Sequence, residues 1–277
     1  MQQRVLIILG MHRSGTSLVT NWLYHCGLQV GENLLGKNAG NEEGHFEDTE
    51  FLKLHEEILA ANNLPDTGLF ADKNIEISAY QKAKIRAVID VKNELFEQWG
   101  WKEPRTCLFL DTYKSLIPQA HYLVIVRDYR PVVNSLLKRD FRTIEEQYLS
   151  RNFLQRLIWK SFKRDVRRKE FYGLKAEYYL KVWIDYNERI INFLKELAPE
   201  QYLVVSYAAL EKNDKRPFLF LTDRWKFNLR YIPFLDVYKE NLISSLPDLS
   251  MFFTDKNLLA RANDTEAQLK RLAEADQ

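Results

Sequence analysis

The sequence predicts an α/β fold in which a parallel sheet is flanked by helices. Three short apolar runs, at 5–9, 122–126 and 202–205, have the continuous apolar pattern of strands that are covered on both faces. Segments with helical spacing of apolar residues separate these runs. Strands that alternate with helices are typical of parallel sheets, because each parallel connection needs a crossover.

The length allows one large or two small domains, and we expect a single domain over residues 1–277 with helical insertions. The chain has 277 residues, of which 46% are hydrophobic, and no low-complexity segment divides it. The segments 140–175 and 212–277 fit the strand–helix pattern least. We therefore expect helical additions in these two segments.

Charge and cysteine content limit the classes of partner and compartment. A net charge of +2 gives no general basic field of the kind that nucleic-acid-binding proteins carry. The two cysteines, Cys26 and Cys107, are too few for a disulfide framework or a cysteine-based zinc site and suit a reducing compartment. The run 5–9 is too short for a signal peptide, and no stretch approaches the ~20 apolar residues of a membrane span. We expect a soluble, cytoplasmic protein with no nucleic-acid partner.

A glycine-bracketed loop follows the first apolar run. Gly10 and Gly15 enclose four residues, and Arg13 carries the only permanent charge among them. Backbone N–H groups and a helix N-terminus in such a turn favour phosphate or sulfate. Thr16 stands where nucleoside-triphosphate-binding loops have lysine, which argues against hydrolysis of ATP or GTP. The alternative is a tight strand-to-helix turn that binds no ligand.

The second apolar run also ends in an anion-favouring position. Arg127 follows it directly, Pro131 marks a helix start, and Ser135 lies one turn into that helix. Ligands of open parallel sheets bind beyond the carboxyl ends of the strands. Two such strand ends predict a ligand with two separated anionic groups.

Other polar segments have two interpretations each. The irregular loop over 31–48 lies beside the binding strand, and long loops of this kind are often functional. Lys102 and Arg105, in a predicted turn over 100–106, are either surface charges or ligand contacts. The basic run over 160–169 is either a solvated helix face or a guide for an acidic acceptor or a membrane surface.

Helical spacing and stop signals predict the helices only approximately. The lysine and glutamate residues of the longer helix before residue 99 are assigned to a solvated face, and the last helix is predicted as a polar amphipathic tail that frays. The predicted helices cover 14–26, 51–62, 79–99, a segment from Pro131, 178–197 and 255–275.

The ordered set of strand-end motifs resembles the PAPS-dependent sulfotransferases, in particular their bacterial and carbohydrate-type branch. These enzymes transfer a sulfuryl group from 3′-phosphoadenosine-5′-phosphosulfate (PAPS). Residues 10–17 (GMHRSGTS) resemble the family's 5′-phosphosulfate loop, and residues 124–135 (VIVRDYRPVVNS) resemble its 3′-phosphate motif. The segment 204–207 (VVSY) is similar to the strand whose tyrosine lies near the adenine. The segments 44–48 and 100–105 also have counterparts, and the similarity covers about 4–210.

The resemblance implies a P-loop-type parallel sheet and an enzyme that sulfates a hydroxyl acceptor, which we expect to be a carbohydrate or glycan. It assigns Lys102 to the bridging oxygen of the donor and Arg13 to the charge that grows on the leaving phosphate. The PAPS-binding residues that it implies are Arg13, Ser14, Gly15, Thr16 and Ser17 for the phosphosulfate, Arg127 and Ser135 for the 3′-phosphate, and Tyr207 near the adenine. The chemistry requires no metal.

The acceptor proton needs a base, for which three residues are candidates. Glu47 is the first choice because the segment 44–48 has a family counterpart, and Glu32 and His45 are competitors. The histidine motif that supplies the base in cytosolic family members and their late Arg-Lys-Gly loop have no visible counterparts here. The catalytic set expected from the resemblance is therefore Glu47, Lys102 and Arg13.

Two other functions remain open at this level. One is a P-loop kinase or NTPase, against which the missing lysine counts. The other is a homologue that binds 3′-phosphoadenosine-5′-phosphate (PAP), the desulfated product, without catalysing transfer. The sequence leaves the acceptor and the oligomeric state undetermined.

Overall fold

A computed structural model describes residues 3–32, 34, 46–150, 152–237 and 248–275. Over these residues, four parallel strands form one sheet in the order β2-β1-β3-β4. The predicted parallel sheet flanked by helices is therefore confirmed. The strands are β1 (Arg4–Leu9), β2 (Gln98–Lys102), β3 (His121–Val126) and β4 (Tyr202–Ser206).

Some of the helices begin at a residue whose side chain caps the helix. Asp48 accepts a hydrogen bond from the backbone N–H of Glu50, and Ser78 forms a capping box with Gln81. The short segments Trp159–Lys163 and Phe220–Arg224 are π-helical. The α-helices are α1 (Thr16–His25), α2 (Thr49–Ala61), α3 (Ala79–Leu95), α4 (Leu110–Leu116), α5 (Tyr129–Leu149), α6 (Phe153–Ile158), α7 (Arg164–Leu194), α8 (Tyr207–Lys212), α9 (Lys215–Leu219), α10 (Phe234–Val237) and α11 (Lys256–Ala275).

The sheet is covered on both faces because side chains alternate along each strand. Val5, Ile7 and Leu9 of β1 belong to a large buried cluster that also contains residues of α2, α3, α5 and α7. Leu6 and Ile8 belong to a second cluster with residues of α1 and α10. Burial on both faces explains the continuous apolar pattern of β1.

Strand β2 is the main difference from the predicted elements. The predicted helix over 79–99 and turn over 100–106 are wrong in this region, because α3 ends at Leu95 and a strand pairs with β1. A Cβ at Gly100 would lie 2.3 Å from the carbonyl oxygen of Leu6, so only glycine fits this pairing. The close approach gives this glycine a packing reason that periodicity cannot reveal.

The predicted helix over 255–275 is confirmed, but the expectation that it frays is wrong, because α11 packs on α7 and β4. Arg261 forms an ion pair with Glu188 of α7. Helix α7 is longer than the predicted span of 178–197. The buried residues of α11 are Leu258, Ala262, Thr265, Leu269 and Ala273.

Candidate active site

The glycine-bracketed loop joins β1 to α1 at the carboxyl end of the sheet. Gly15 has φ +93°, and a Cβ there would lie 2.5 Å from the ring of Tyr207. The N–H of Ser14 donates to the carbonyl of Met11 within the turn. Thr16 and Ser17 form the first turn of α1, where backbone N–H groups have no partner inside the helix. The loop therefore has the geometry of an anion site.

The loop is tied directly to the second predicted motif. Nε of Arg13 donates to Oγ of Ser135 on α5 at 2.8 Å. Nη1 of Arg127 donates to the carbonyl of Arg13 at 3.2 Å, and its guanidinium lies 5.2 Å from the ring centroid of Tyr207. The structure thus brings three residues of the two predicted anion sites together, with Tyr207 beside them.

Arg13 occupies an environment that disfavours its charge. Burial lowers the pKa of this guanidinium, and the positive charges of Arg139 and Arg127 lower it further. Positive charges that lie close together and are partly shielded from water repel one another, and a bound anion offsets this repulsion. This observation fits a phosphate-bearing donor.

Lys102 connects the loop to the first-choice base. Strand β2 pairs Lys102 with Ile8, two residues before the loop. Nζ of Lys102 lies 2.8 Å from Oε1 of Glu47 and 3.0 Å from Oγ of Ser17. Burial lowers the pKa of Lys102, and the carboxylate of Glu47 opposes this shift. Lys102 is therefore a buried ligand-contact candidate and not a surface charge.

The other two base candidates are placed differently. Glu32 is exposed. His45 lies outside the described residues.

Glu47 precedes the capped start of α2, where Asp48 forms an ion pair with Lys92 at 2.8 Å. The pattern had assigned Lys92 to a solvated face, and that assignment is wrong because Lys92 is buried.

A second buried polar group lies beside Lys102 and was missed by the sequence analysis. Glu103 contacts Nδ1 of His55, and Nη1 of Arg105 lies 2.5 Å from its other carboxylate oxygen. Nε2 of His55 is 2.7 Å from the hydroxyl of Tyr113. Burial opposes ionisation of Glu103, but His55 and Arg105 outweigh it and lower its pKa to about 2. The position of Arg105, three residues after Lys102, was the only signal of this group.

His12 is a further polar side chain in the loop that the motifs did not single out. Its Nε2 is buried and has no partner among the described residues. Burial and the charge of Arg105 are the leading causes that lower the pKa of His12 to about 3. The imidazole is therefore neutral at physiological pH.

Among the described residues, no group of three or more histidine, cysteine, aspartate or glutamate side chains is placed to hold a metal ion. No helix in the described part of the chain is long and apolar enough to cross a membrane. In the basic run over 160–169, Arg167 and Arg168 form ion pairs with acidic residues three positions away on α7, as on a solvated helix face, whereas Arg164 pairs with Glu145 of α5.

Comparison with known proteins identifies the family to which the chain belongs. Residues 6–217, more than half of the chain, match the model of the sulfotransferase family. The chain therefore belongs to the sulfotransferase family, which confirms the predicted class of enzyme. Members of this family generally use PAPS as the donor. A comparison with curated proteins finds no match.

Solved structures with similar folds include three sulfotransferases. The enzyme from Alicyclobacillus acidocaldarius is 12% identical, with a TM-score of 0.53 over 99% of this chain and 97% of that chain. The sulfotransferase domain from the curacin biosynthetic pathway is 16% identical, with a TM-score of 0.48 and coverage of 99% and 97%. The domain from the Synechococcus PCC 7002 olefin synthase is 18% identical, with a TM-score of 0.45 and coverage of 99% and 95%. At these identities the likeness concerns the fold alone.

Proposed function

We propose that this sulfotransferase moves a sulfuryl group from PAPS to a hydroxyl group of a carbohydrate or glycan. The observation that carries the donor assignment is the contact of Arg13 with Ser135, which joins the loop to the motif that resembles a 3′-phosphate clamp. A donor with two separated phosphate positions fits this pair of sites. The gathering of Arg13 and Arg127 supports the same assignment, since a bound anion would offset their repulsion.

The proposed donor contacts follow from the local geometry. The N–H groups of Thr16 and Ser17, at the positive end of α1, would hold the 5′-phosphosulfate, with Gly15 allowing close approach. Ser14 would contribute its hydroxyl, because its N–H is engaged in the turn. Arg127 and Ser135 would bind the 3′-phosphate through charge-assisted hydrogen bonds. The ring of Tyr207 would contact the adenine.

PAPS supplies an activated sulfuryl group on a phosphate leaving group. Lys102 would donate a hydrogen bond at the bridging oxygen, and Arg13 would offset the charge on the leaving phosphate. Glu47 would accept the proton of the acceptor hydroxyl while that oxygen forms its new bond to sulfur. The ion pair between Glu47 and Lys102 supports the assignment of both roles to one end of the loop.

The same ion pair favours a second candidate, a homologue that binds PAP without catalysis. A glutamate that remains bound to Lys102 would be unavailable as a base. Isothermal titration with PAP and a transfer assay with ³⁵S-labelled PAPS distinguish the two. Both functions predict PAP binding without Mg²⁺, whereas only the enzyme transfers label to a panel of saccharides, alcohols and phenols. Comparable binding of ATP–Mg²⁺ would instead favour a kinase or NTPase.

The proposal also covers the domain organisation of the chain and its cellular compartment. We propose one domain over 1–277, with 140–175 and 212–277 as additions on the acceptor side. The cysteines Cys26 and Cys107 are both buried and unpaired, which supports a cytoplasmic location. Any contact with a membrane surface would use the basic run over 160–169. Limited proteolysis tests the domain proposal, because one domain predicts no stable fragment.

A further inference from the structure

Helix α5 presents a second polar residue on the face that touches the loop. Ser135 and Arg139 are four residues apart, which places them one above the other on the helix. Because Ser135 contacts Arg13, this face of α5 is turned toward the loop. Arg139 belongs to none of the motifs that predicted the donor site.

A neighbouring carboxylate orients the guanidinium group of Arg139 but leaves some of its N–H groups able to bind a ligand. Its Nε lies 2.6 Å from Oδ1 of Asp140, and the hydroxyl of Tyr179 contacts the same carboxylate. The other guanidinium N–H groups of Arg139 have no partner among the described residues. The side chain is 34% exposed, so this end of the guanidinium is accessible to a ligand.

The charges around Arg13 indicate what that ligand is. Arg139 precedes Arg127 among the charges that lower the pKa of Arg13. Arg127 forms no ion pair with any described residue. Two guanidinium groups whose charges both act on a third, Arg13, fit a group with two negative charges better than a single carboxylate.

We propose that Arg139 is a further donor-binding residue, which contacts the 3′-phosphate of PAPS together with Arg127 and Ser135. This inference rests on the proposed function, because it assumes that the site between the loop and α5 binds a 3′-phosphorylated nucleotide. It adds Arg139 of α5 to Arg127 as a second cation for a phosphate that carries two charges. Asp140 is then a positioning residue that orients Arg139.

Isothermal titration with two nucleotides tests the assignment without an acceptor. PAP carries the 3′-phosphate, and adenosine 5′-monophosphate lacks it. Arg139→Gln is expected to weaken PAP binding about tenfold, the effect of one charge-assisted hydrogen bond, and to change binding of the monophosphate less than about twofold. Arg139→Lys keeps the charge but loses the fork of N–H groups, so we expect a smaller loss.

Arg142→Gln is the matched control, because it removes one positive charge from an exposed position of the same helix. It should leave both affinities unchanged. Unchanged PAP binding by Arg139→Gln, or equal losses for both nucleotides, would overturn the inference while PAP binding by the wild type upholds the proposed donor. Failure of the wild type to bind PAP would overturn the proposed donor itself. Thermal unfolding of each variant confirms that it is folded.

Discussion

Replacing Glu47 by glutamine tests the buried ion pair that links the loop to the proposed base. The Lys102 side chain is 1% exposed and that of Glu47 10%, so the pair has little access to water. Removing one member of a buried pair typically costs about 3–5 kcal/mol, because the other charge loses its partner. Glutamine keeps a carbonyl acceptor near Nζ, and Ser17 keeps another. We expect the free energy of unfolding to fall by about 3 kcal/mol.

A double-mutant cycle separates the pair from its surroundings. Urea unfolding followed by tryptophan fluorescence gives the free energy of unfolding for Glu47→Gln, for Lys102→Met and for the double variant. Because the double variant has no unpaired charge, it should lose less than the sum of the single losses. Glu57→Gln is the control, since its partner Lys84 is at the surface and exposed pairs of this kind contribute little to stability. Additive losses in the cycle would refute the coupling.

The same substitution tests the catalytic role of Glu47. We expect PAP affinity to stay within about a few-fold of wild type, while turnover falls by about 10²–10⁴, the range for loss of a general base. Glu32→Gln is the paired control and should cost much less. If Glu32→Gln abolishes transfer and Glu47→Gln does not, the base is Glu32. If neither matters, His45 is the candidate that remains.

Four further predictions test the donor site and the buried group. Arg127→Ala should weaken PAP binding by about 1.5–3 kcal/mol in calorimetry and binding of adenosine 5′-phosphosulfate much less, whereas equal losses would contradict a 3′-phosphate contact. Arg13→Ala should lower turnover by about 10²–10³ in the ³⁵S-transfer assay with the fold intact, and near-normal turnover would exclude a transition-state role. Gly15→Ala should impair both thermal stability and PAP binding, because the added Cβ meets Tyr207 at a positive φ, and a wild-type melting temperature would contradict this packing. The pKa of Glu103 is depressed in the folded state, so its ionised carboxylate contributes stability above about pH 4.5, and this contribution is lost as the pH falls toward about 2. Urea titrations over this pH range should therefore show a free energy of unfolding that depends less on pH for Glu103→Gln than for the wild type.

Strands β1, β3 and β4 were predictable from their apolar runs, and strand β2 was not. The apolar runs of β1, β3 and β4 are continuous because helices lie on both sides of them. Strand β2 has the sequence QWGWK, in which a glycine and a lysine interrupt the pattern. Gly100 is explained by the backbone of Leu6, and Lys102 by its contacts with the loop. Both explanations depend on residues that are distant in the sequence, so the local pattern could not reveal them.

The candidate site also combines features that local sequence patterns reveal with features that only the fold reveals. The loop and the motif around Arg127 are local patterns, and each is recognisable without a structure. The contact of Arg13 with Ser135 spans 122 positions, so only the fold brings it about. Lys92 and His55 were unrecognisable as buried groups, because a lone polar residue on a helix usually indicates a solvated position.

Buried polar contacts give residues 47–55, which include the start of α2, a defined geometry beside the site. Glu47 contacts Lys102, Asp48 contacts Lys92, and His55 contacts Glu103. Three such contacts over nine residues fix the start of α2 against β2 and α3, since each unpaired charge would be costly in the core. Only the first contact reaches the loop. The other two hold the backbone in place. In the proposed mechanism Lys102 would therefore exchange Glu47 for an anion without releasing α2, and the proposed role of Glu47 as a base needs that independence.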